Sequence, residues 1–162
     1  MKIRKSTPGD YDVICQTYSN ARKFMLNSGN PDQWGNVHPP ANLILHDIEQ
    51  ELSYVCTFQN DILAVFYYNI EIDPTYGVIN GQWLNDAPYG VVHRIASSRS
   101  VRGAGYFCLQ WCLEQCKNLR IDTHKDNSPM LNLLDKLDFS YCGIIRIENG
   151  DERLAYQKTI LT

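Results

Sequence analysis

The sequence predicts an α/β (α+β) fold, in which helices cover both faces of a central mixed sheet of about six to seven strands. The first observation behind this prediction is the apolar periodicity, which alternates between two residues, typical of strands, and 3.6 residues, typical of helices. The second is the order of the predicted elements, β-α-α-β-β-β-α-β-α-β-β. The third is the length of 162 residues with 44% hydrophobic and 20% charged residues, which suits one globular domain over residues 1–162.

A strand and two helices are predicted near the start of the chain. Residues 2–6 alternate polar and apolar side chains and form the first predicted strand. Thr7 is a suitable N-cap and Pro8 suits the first helical position, so a helix is predicted over about 8–26. Turn-forming residues end that helix, and a second, shorter helix is predicted over about 41–50.

The next segment predicts a hairpin. Residues 52–58 and 62–72 are rich in β-forming side chains and are joined by the turn signal Gln59-Asn60-Asp61. A loop is predicted over 74–88, interrupted by a short strand near 82–84. A further strand is predicted over 90–97, where an apolar run leads into a polar stretch that contains glycine.

Helices and strands alternate in the last third of the chain. Asn127 is a good N-cap and Pro129 fits an early helical position, which predicts a helix that lasts to about 137. Asn149-Gly150 is a hairpin signal. The other predicted elements are a helix at 104–117 and strands at 119–123, 140–148 and 153–158.

The charge balance excludes two classes of partner. The 15 Lys and Arg residues against 18 Asp and Glu residues give a net charge of −3 at pH 7, whereas nucleic acids and anionic membranes bind cationic faces.

Charged residues at the N-terminus leave no apolar stretch for a signal peptide, and the longest apolar run, 62–68, is far shorter than the ~20 residues that span a bilayer. We therefore expect no nucleic-acid or membrane partner and a cytoplasmic location.

Six cysteines are present without any Cys-x-x-Cys pair, which disfavours a zinc ribbon or a thioredoxin-like site. Cys108, Cys112 and Cys116 recur every four residues and therefore lie along one helix face. We expect them to pack that helix onto the sheet as small apolar residues, because three thiols in single file cannot surround a metal ion. We expect no metal, and the alternative is a thiol or metal protein that uses this helix.

Residues 91–105 carry the clearest chemical signal. A predicted strand leads into a short loop with Gly103 and Gly105, and that loop opens a helix. A helix N-terminus leaves backbone N–H groups unpaired and carries partial positive charge, and glycine lets an anion approach the backbone closely. Arg99 and Arg102 add positive charge, so the segment predicts a phosphate or pyrophosphate site. The alternative is an ordinary helix start that uses glycine to turn.

This segment is one of several motifs that follow one another along the chain. They are the opening Ile3-Arg4 strand with Thr7-Pro8-Gly9-Asp10, then Ser100-x-x-Gly103-x-Gly105, Asn127-x-x-Met130 and Leu133-Leu134-x-Lys136-Leu137-x-Phe139. Together they resemble the acyl-CoA-dependent N-acetyltransferases called the GNAT superfamily, over essentially the whole chain. The resemblance implies a mostly antiparallel sheet in which two central parallel strands, 91–97 and 119–123, splay apart.

The resemblance also implies acetyl-CoA as the cosubstrate, bound in the gap between those two strands. Its pantetheine arm would take backbone hydrogen bonds from the end of the first strand, and its pyrophosphate would bind the amides of the loop and helix start. Asn127 would line the opposite side. The implied cofactor-binding residues are Ile95, Ala96, Ser97, Arg99, Ser100, Val101, Arg102, Gly103, Ala104, Gly105, Tyr106 and Asn127.

The implied reaction is direct transfer of an acetyl group to a primary amine, of a small molecule or a peptide, in a ternary complex. Four residues depart from the family pattern, and one of them is Asp138, which stands where the family usually has a glycine at the end of the last helix. Leu134 stands where many members have a tyrosine that protonates the leaving thiolate, and Val91 stands where some have a glutamate base. Ser100 replaces the usual Gln or Arg of the phosphate loop. A non-catalytic acyl-CoA sensor or interaction module on the same scaffold is therefore the alternative.

Three residues on the two central strands are candidates for the acid–base chemistry. His93 or His124 is expected to act as base, directly or through water, because imidazole accepts a proton near neutral pH. Asp122, predicted on the same face as His124, would orient an imidazole or bind a substrate ammonium. The unranked candidates for protonating the thiolate are Tyr141, Cys142 and Tyr156.

Loop residues supply the candidates for the acceptor side. Gln33, Trp34 and Trp83 are expected to flank the amine, and the alternative is that the aromatic rings only cover the edge of the sheet. The acidic balance favours a cationic acceptor. A homodimer is left open.

Overall fold

The computed structural model describes residues 1–160 and has the predicted α/β architecture. Short 3₁₀ turns occupy Pro8–Asp10 and Pro74–Tyr76. The helices are α1 (Tyr11–Asn27), α2 (Ala41–Glu49), α3 (Ala104–Cys116) and α4 (Ser128–Lys136). The strands are β1 (Lys2–Lys5), β2 (Ser53–Phe58), β3 (Asp61–Ile70), β4 (Asn80–Gly81), β5 (Gly90–Ser97), β6 (Asn118–Thr123), β7 (Ser140–Arg146) and β8 (Glu152–Thr159).

The strands form one eight-stranded sheet in the order β1-β2-β3-β5-β6-β8-β7-β4. Every neighbouring pair is antiparallel except β5 and β6, which are parallel. Strands β5 and β6 pair only where they begin, Gly90 opposite Leu119 and Val91 opposite Arg120. The two strands then diverge, which confirms the predicted pair of splayed parallel strands at the centre of the sheet.

The extra strand is the short β4 at the sheet edge, and the prediction of a strand near 82–84 is wrong in its position. Strand β4 is the pair Asn80–Gly81, which lies against β7. Gly81 and Gly143 have φ angles of +140° and +143°, and a Cβ at Gly81 would lie 2.1 Å from the carbonyl oxygen of Cys142. Two glycines facing each other let the backbones come this close, and the sequence pattern gives no sign that they are neighbours.

A β-bulge in β5 directs the strand away from β6. The register of β5 against β3 shifts between Val65 and Tyr67, and Arg94 has a φ of +52°, which is uncommon for a residue with a side chain. Side chains from the surrounding elements hold this conformation. The Arg94 guanidinium pairs with Asp47 of α2 at 2.9 Å and lies 4.7 Å from the ring centroid of Tyr67, and the Tyr18 hydroxyl of α1 donates to the Arg94 carbonyl at 2.9 Å.

Helices lie on both faces of the sheet, as predicted. One face carries α1 and α2, whose buried residues Ile14, Tyr18, Ile44 and Ile48 pack on Val55 and Val65 of the sheet. The opposite face carries α3 and α4. No helix within residues 1–160 has the length and apolarity needed to cross a bilayer.

Helix α3 packs its cysteines onto the sheet, which confirms the packing predicted from their spacing. Cys108 and Cys112 are fully buried in the core beneath α3 and α4. A hydrogen bond with Cys56 and burial raise the pKa of the Cys108 thiol, so it stays protonated and unreactive. All six cysteines are free thiols, and within residues 1–160 no three His, Cys, Asp or Glu side chains converge as the ligands of a metal ion would.

We expect the Asp47–Arg94 ion pair, which holds the bulge, to contribute to the free energy of unfolding of the protein. Asp47→Ala leaves the Arg94 guanidinium partly buried without its carboxylate, and breaking a buried pair costs about 3–5 kcal/mol. We expect urea denaturation to show a free energy of unfolding lower by about 3 kcal/mol. The matched control is Glu152→Gln, which breaks the exposed Arg146–Glu152 pair and is expected to cost less than about 1 kcal/mol. Equal losses in the two variants would contradict this role for Asp47.

Candidate active site

Two cavities meet beside the point where β5 leaves β6. The narrow cavity, of about 170 Å³, lies between α1, the end of β5 and the starts of α3 and α4. The wide cavity, of about 620 Å³, lies between the middle of β5, the end of β6 and the loops that surround them. The residues that line both cavities are Met25, Ile95, Asn127 and Met130. A ligand can therefore run from one cavity into the other past the side chain of Ile95.

The N-terminus of α3 opens beside the narrow cavity and presents unpaired backbone donors. Within residues 1–160, the N–H groups of 101–106 donate no hydrogen bond to a protein acceptor. Gly103 reaches a φ of +89°, which turns the chain into the helix, and a Cβ added there would contact nothing within 4 Å. The Arg99 guanidinium lies 3.6 Å from the ring centroid of Phe24, and Arg102 is exposed. The free donors, the helix dipole and two arginines make this loop suited to an anion.

The edge of β5 that faces β6 is the second source of free backbone groups. Beyond Val91 this edge has no strand partner among the described residues, because pairing with β6 stops there. Ile95, Ala96 and Ser97 line the narrow cavity along this stretch, while the other edge of β5 stays paired with β3. An extended ligand with amide groups can bind here much as another strand would.

The side chain of Asn127 links the start of α4 to the loop before α2 through hydrogen bonds. Its Oδ1 accepts from the Met130 amide at 3.2 Å, the capping role that the sequence predicts, and its Nδ2 donates to Gln33 Oε1 at 2.8 Å. Asn30 donates to the same oxygen at 2.8 Å. Gln33 and the buried Trp34 line the wide cavity, so the structure brings two of the three predicted acceptor residues to its wall.

His93 lies in the wall of the wide cavity between two carboxylates. Its Nε2 is 2.7 Å from Asp73 Oδ2, and its Nδ1 is 3.8 Å from Asp122 Oδ1. The Tyr76 hydroxyl donates to Asp122 Oδ1 at 2.7 Å, and Asp122 Oδ2 has no hydrogen-bond partner among residues 1–160. Asp73 thus holds one nitrogen of the imidazole, while the other nitrogen and one carboxylate oxygen remain available.

Burial and hydrogen bonds together set the protonation states of Asp73 and Tyr76. Burial would raise the pKa of Asp73, but hydrogen bonds from His93 and from Thr75 outweigh it and lower that pKa to about 2. Burial and the neighbouring Asp122 carboxylate raise the pKa of Tyr76 well above its ordinary value. At neutral pH Asp73 is therefore an anion, and Tyr76 is a neutral phenol that donates to Asp122.

Two predicted site residues lie outside both cavities. His124 lines neither cavity, because its Nδ1 accepts the Asp126 amide at 3.1 Å within the turn after β6. Trp83 lines neither cavity, because its ring packs on Tyr76 and on the Arg120 guanidinium. Among the candidates for protonating the thiolate, none of Tyr141, Cys142 and Tyr156 lines either cavity.

Several lining residues of the wide cavity were missed by the sequence prediction: Asp73, Thr123, Arg153 and His38. Asp73-Pro74-Thr75 carries a usable signal, because Asp before Pro often caps a turn through its side chain, and Asp73 does accept from the Thr75 amide at 2.8 Å. The Thr123 hydroxyl is buried and has no hydrogen-bond partner among residues 1–160. Nothing in the local sequence marks the other residues, because they reach the cavity through long-range pairing of the chain.

The comparisons with known proteins come from structure alone, since the sequence matches no protein-family model and no curated protein sequence. A GNAT-family acetyltransferase from Streptococcus agalactiae is 31% identical over 99% of this chain and 96% of that one, with a TM-score of 0.89. A ribosomal-protein-alanine N-acetyltransferase from Brucella melitensis is 15% identical over 99% and 100%, with a TM-score of 0.68. The Salmonella typhimurium protein yncA, whose structure holds acetyl-CoA as its cofactor, is 11% identical over 98% and 92%, with a TM-score of 0.64. The last two show a shared fold.

We expect the free energy of unfolding of the protein to depend on pH through His38, which lines the wide cavity. Burial, and then the positive charges of Arg94, Arg153 and Arg22, lower the pKa of His38 from 6.5 to about 4. Between these values the unfolded chain binds more protons than the folded one, so stability is lost as the pH falls from 6.5 to 4. We expect His38→Gln to lose less free energy of unfolding than the wild type over this range.

Urea denaturation at pH 6.5, 5.5 and 4.5 measures this difference. The matched control is His46→Gln, which replaces an exposed histidine of α2 and is expected to follow the wild type. If His38→Gln and the wild type lose stability in parallel, the histidine does not carry the effect.

Proposed function

Because this chain belongs to the GNAT family of acetyltransferases, we propose that it transfers the acetyl group of acetyl-CoA directly to a primary amine in a ternary complex. Membership of the family makes the chain an acyl-CoA N-acyltransferase, which sets aside the non-catalytic sensor. The observation that carries the proposal is the junction of the two cavities. Free backbone donors for an anionic cosubstrate lie at one end, and a histidine held by a carboxylate lies at the other.

Acetyl-CoA is the cosubstrate that the narrow cavity suits. The unpaired amides of 101–106, with Arg99 and Arg102, would bind the pyrophosphate. The open edge of β5 at 95–97 would bind the amides of the pantetheine arm, and Asn127 would line its other side. Bound there, acetyl-CoA supplies a thioester whose carbonyl carbon an amine can attack. Its acetyl end then enters the wide cavity beside Ile95, two residues along β5 from His93.

His93 is the proposed base. An ammonium that binds Asp122 Oδ2 lies next to His93 Nδ1, which takes one proton and leaves a neutral amine. Asp73 holds the Nε2–H and stabilises the imidazolium that forms, as a carboxylate does in an acid–base pair. Asp122 presents its Oδ2 to the substrate, because Tyr76 donates to the other oxygen, Oδ1. A backbone N–H of β5 can donate to the carbonyl oxygen as negative charge develops there.

The leaving sulfur has no tyrosine to protonate it in the lining that the structure describes, since neither cavity wall contains one. The nitrogen that attacks the carbonyl carbon carries a proton it must lose as the C–S bond breaks, and that proton goes to the sulfur. The buried Thr123 hydroxyl is the free donor nearby, and we assign it a hydrogen bond to the sulfur. Direct transfer of this kind needs no separate general acid.

The wide cavity favours an amine that arrives as a cation. Asp32, Glu148 and Asp151 are exposed at its mouth, and carboxylates at an entrance raise the local concentration of cationic substrates. Gln33 and Trp34 form the wall opposite β5. These features support a primary amine of a small molecule or a peptide as the acceptor.

Binding of CoA is the first test of the pyrophosphate site. We expect calorimetry to show CoA binding to the wild type and Arg102→Gln to weaken it about tenfold, since one charge-assisted contact is worth about 1.4 kcal/mol. Pantetheine, which lacks the pyrophosphate, should bind both proteins equally. Arg146→Gln, which replaces an exposed arginine at the end of β7, is the matched control. Absence of heat and of any melting shift with CoA would overturn the site.

Acetyl transfer tests the assignment of the base. We expect release of free CoA with a panel of primary amines, and His93→Gln to lower kcat about 100-fold or more, the usual contribution of a general base. CoA affinity should be unchanged, which shows that the variant is folded. His124→Gln is the control and is expected to keep its rate within about threefold. Equal losses in the two variants would reject His93 as the base.

A further inference from the structure

Arg153 is a buried cation in the wall of the wide cavity. It is the second residue of β8, next to the residue that pairs with the end of β6, and is only 5% exposed. Its guanidinium donates to two backbone carbonyls, those of Glu152 at 3.0 Å and Gln33 at 3.2 Å. No carboxylate oxygen of residues 1–160 lies within 4.0 Å of it, the distance of an ion pair. A buried guanidinium with five N–H donors thus keeps its full charge and several donors without an anionic partner.

The charges of two other arginines of this region, the partly buried Arg94 and the buried Arg120, are compensated inside the protein. Arg94 pairs with the Asp47 carboxylate at 2.9 Å. Arg120 lies between the rings of Trp83 and Tyr89, 4.2 Å and 3.9 Å from their centroids, and donates to the Asn85 carbonyl. Arg120 lines neither cavity, whereas Arg153 lines the wide one. Arg94 also lines the wide cavity, but the Asp47 carboxylate already pairs with its charge. Arg153 is therefore the one of these three arginines that lines a cavity without a carboxylate partner among residues 1–160.

The acidic groups of the wide cavity do not neutralise Arg153. Asp73 is engaged by His93 and Thr75, and Asp122 by Tyr76. The carboxylates at the mouth are exposed and solvated. An unpaired buried charge is costly, and a carboxylate matches the planar fork of a guanidinium with two parallel hydrogen bonds. The missing anion is therefore one that a ligand brings.

We propose that Arg153 binds a carboxylate of the acceptor, so that the acceptor is a zwitterion of the amino-acid class rather than a simple amine. This inference rests on the proposed function. The wall of the cavity then offers two kinds of group: Asp122 and His93 receive the ammonium, and Arg153 receives the carboxylate. Holding both groups fixes the amine nitrogen in line with the thioester, which is what an attack on the carbonyl carbon requires.

The test compares carboxylates with matched carboxamides. Each of the free L-amino acids and its carboxamide is offered to the wild type with acetyl-CoA, and kcat/KM is measured by CoA release. For the best substrate we expect the carboxylate to exceed the carboxamide by about 50-fold or more. Arg153→Gln should bring this ratio to within about threefold, and Arg146→Gln should preserve it. A purely structural role for Arg153 would lower both rates equally and leave the ratio unchanged, which would overturn the proposal.

Calorimetry on the CoA-loaded protein separates this inference from the proposed function. Each amino acid and its carboxamide is titrated into the wild type and into Arg153→Gln. Binding that needs the carboxylate and Arg153, without any transfer, would support the carboxylate site and reject the acetyl transfer. Transfer to amines regardless of the carboxylate would support the transferase and overturn the carboxylate site. Neither binding nor transfer with any member of the panel would overturn both.

Discussion

The divergence of β5 from β6 is the constraint on which the rest of the site depends. Two parallel strands that stayed paired would use the backbone groups of 92–97 on each other and leave no room between them. The bulge at Arg94 prevents that, and it persists because Asp47, Tyr67 and Tyr18 hold Arg94 from three different elements. The cost of a left-handed arginine inside a strand is thus offset by packing of α1 and α2. The result is a gap with free backbone donors on one side and His93 between two carboxylates on the other.

Gln33 connects the parts of this site that lie far apart in sequence. Its side-chain oxygen accepts a hydrogen bond from Nδ2 of Asn127, the residue that caps α4 beside the narrow cavity. Its backbone carbonyl accepts a hydrogen bond from Arg153, which lines the wide cavity. The loop before α2 therefore contacts both ends of the ligand path. The wall of the wide cavity also contains groups of both signs, with Asp73 and Asp122 around His93 and with the Arg153 guanidinium.

Local signals predicted much of the fold. Asn127 and Thr7 mark helix starts, and Asn149-Gly150 marks a hairpin. The period of the apolar residues identifies α3 as a helix and β5 and β6 as strands. The β-bulge could not be predicted in this way, because an arginine at positive φ has no local signature and depends on Asp47, 47 residues earlier. Strand β4 was misplaced for a similar reason, since its position follows from the meeting of Gly81 with a distant glycine.

The site was predictable only where it follows the chain locally. His93, Ile95 and Asp122 lie on the two central strands and could be located from them, and the free amides follow from a helix start. Arg153 and Asp73 could not, because a lone arginine in a strand and an aspartate in a loop look alike whether they face solvent or a cavity. His124 lies outside both cavities because β6 ends at Thr123, and in the turn that follows its Nδ1 accepts a hydrogen bond from the Asp126 amide.

The outer edges of the sheet also have a consequence for how the protein behaves at high concentration. One edge is β1, four residues long and bearing Lys2, Arg4 and Lys5, and the other is the two-residue β4. Long, flat, uncharged edges invite strands from other molecules to add to them and start fibrous aggregates, whereas short or charged ones resist it. These two edges therefore protect the eight-stranded sheet from pairing with strands of other molecules.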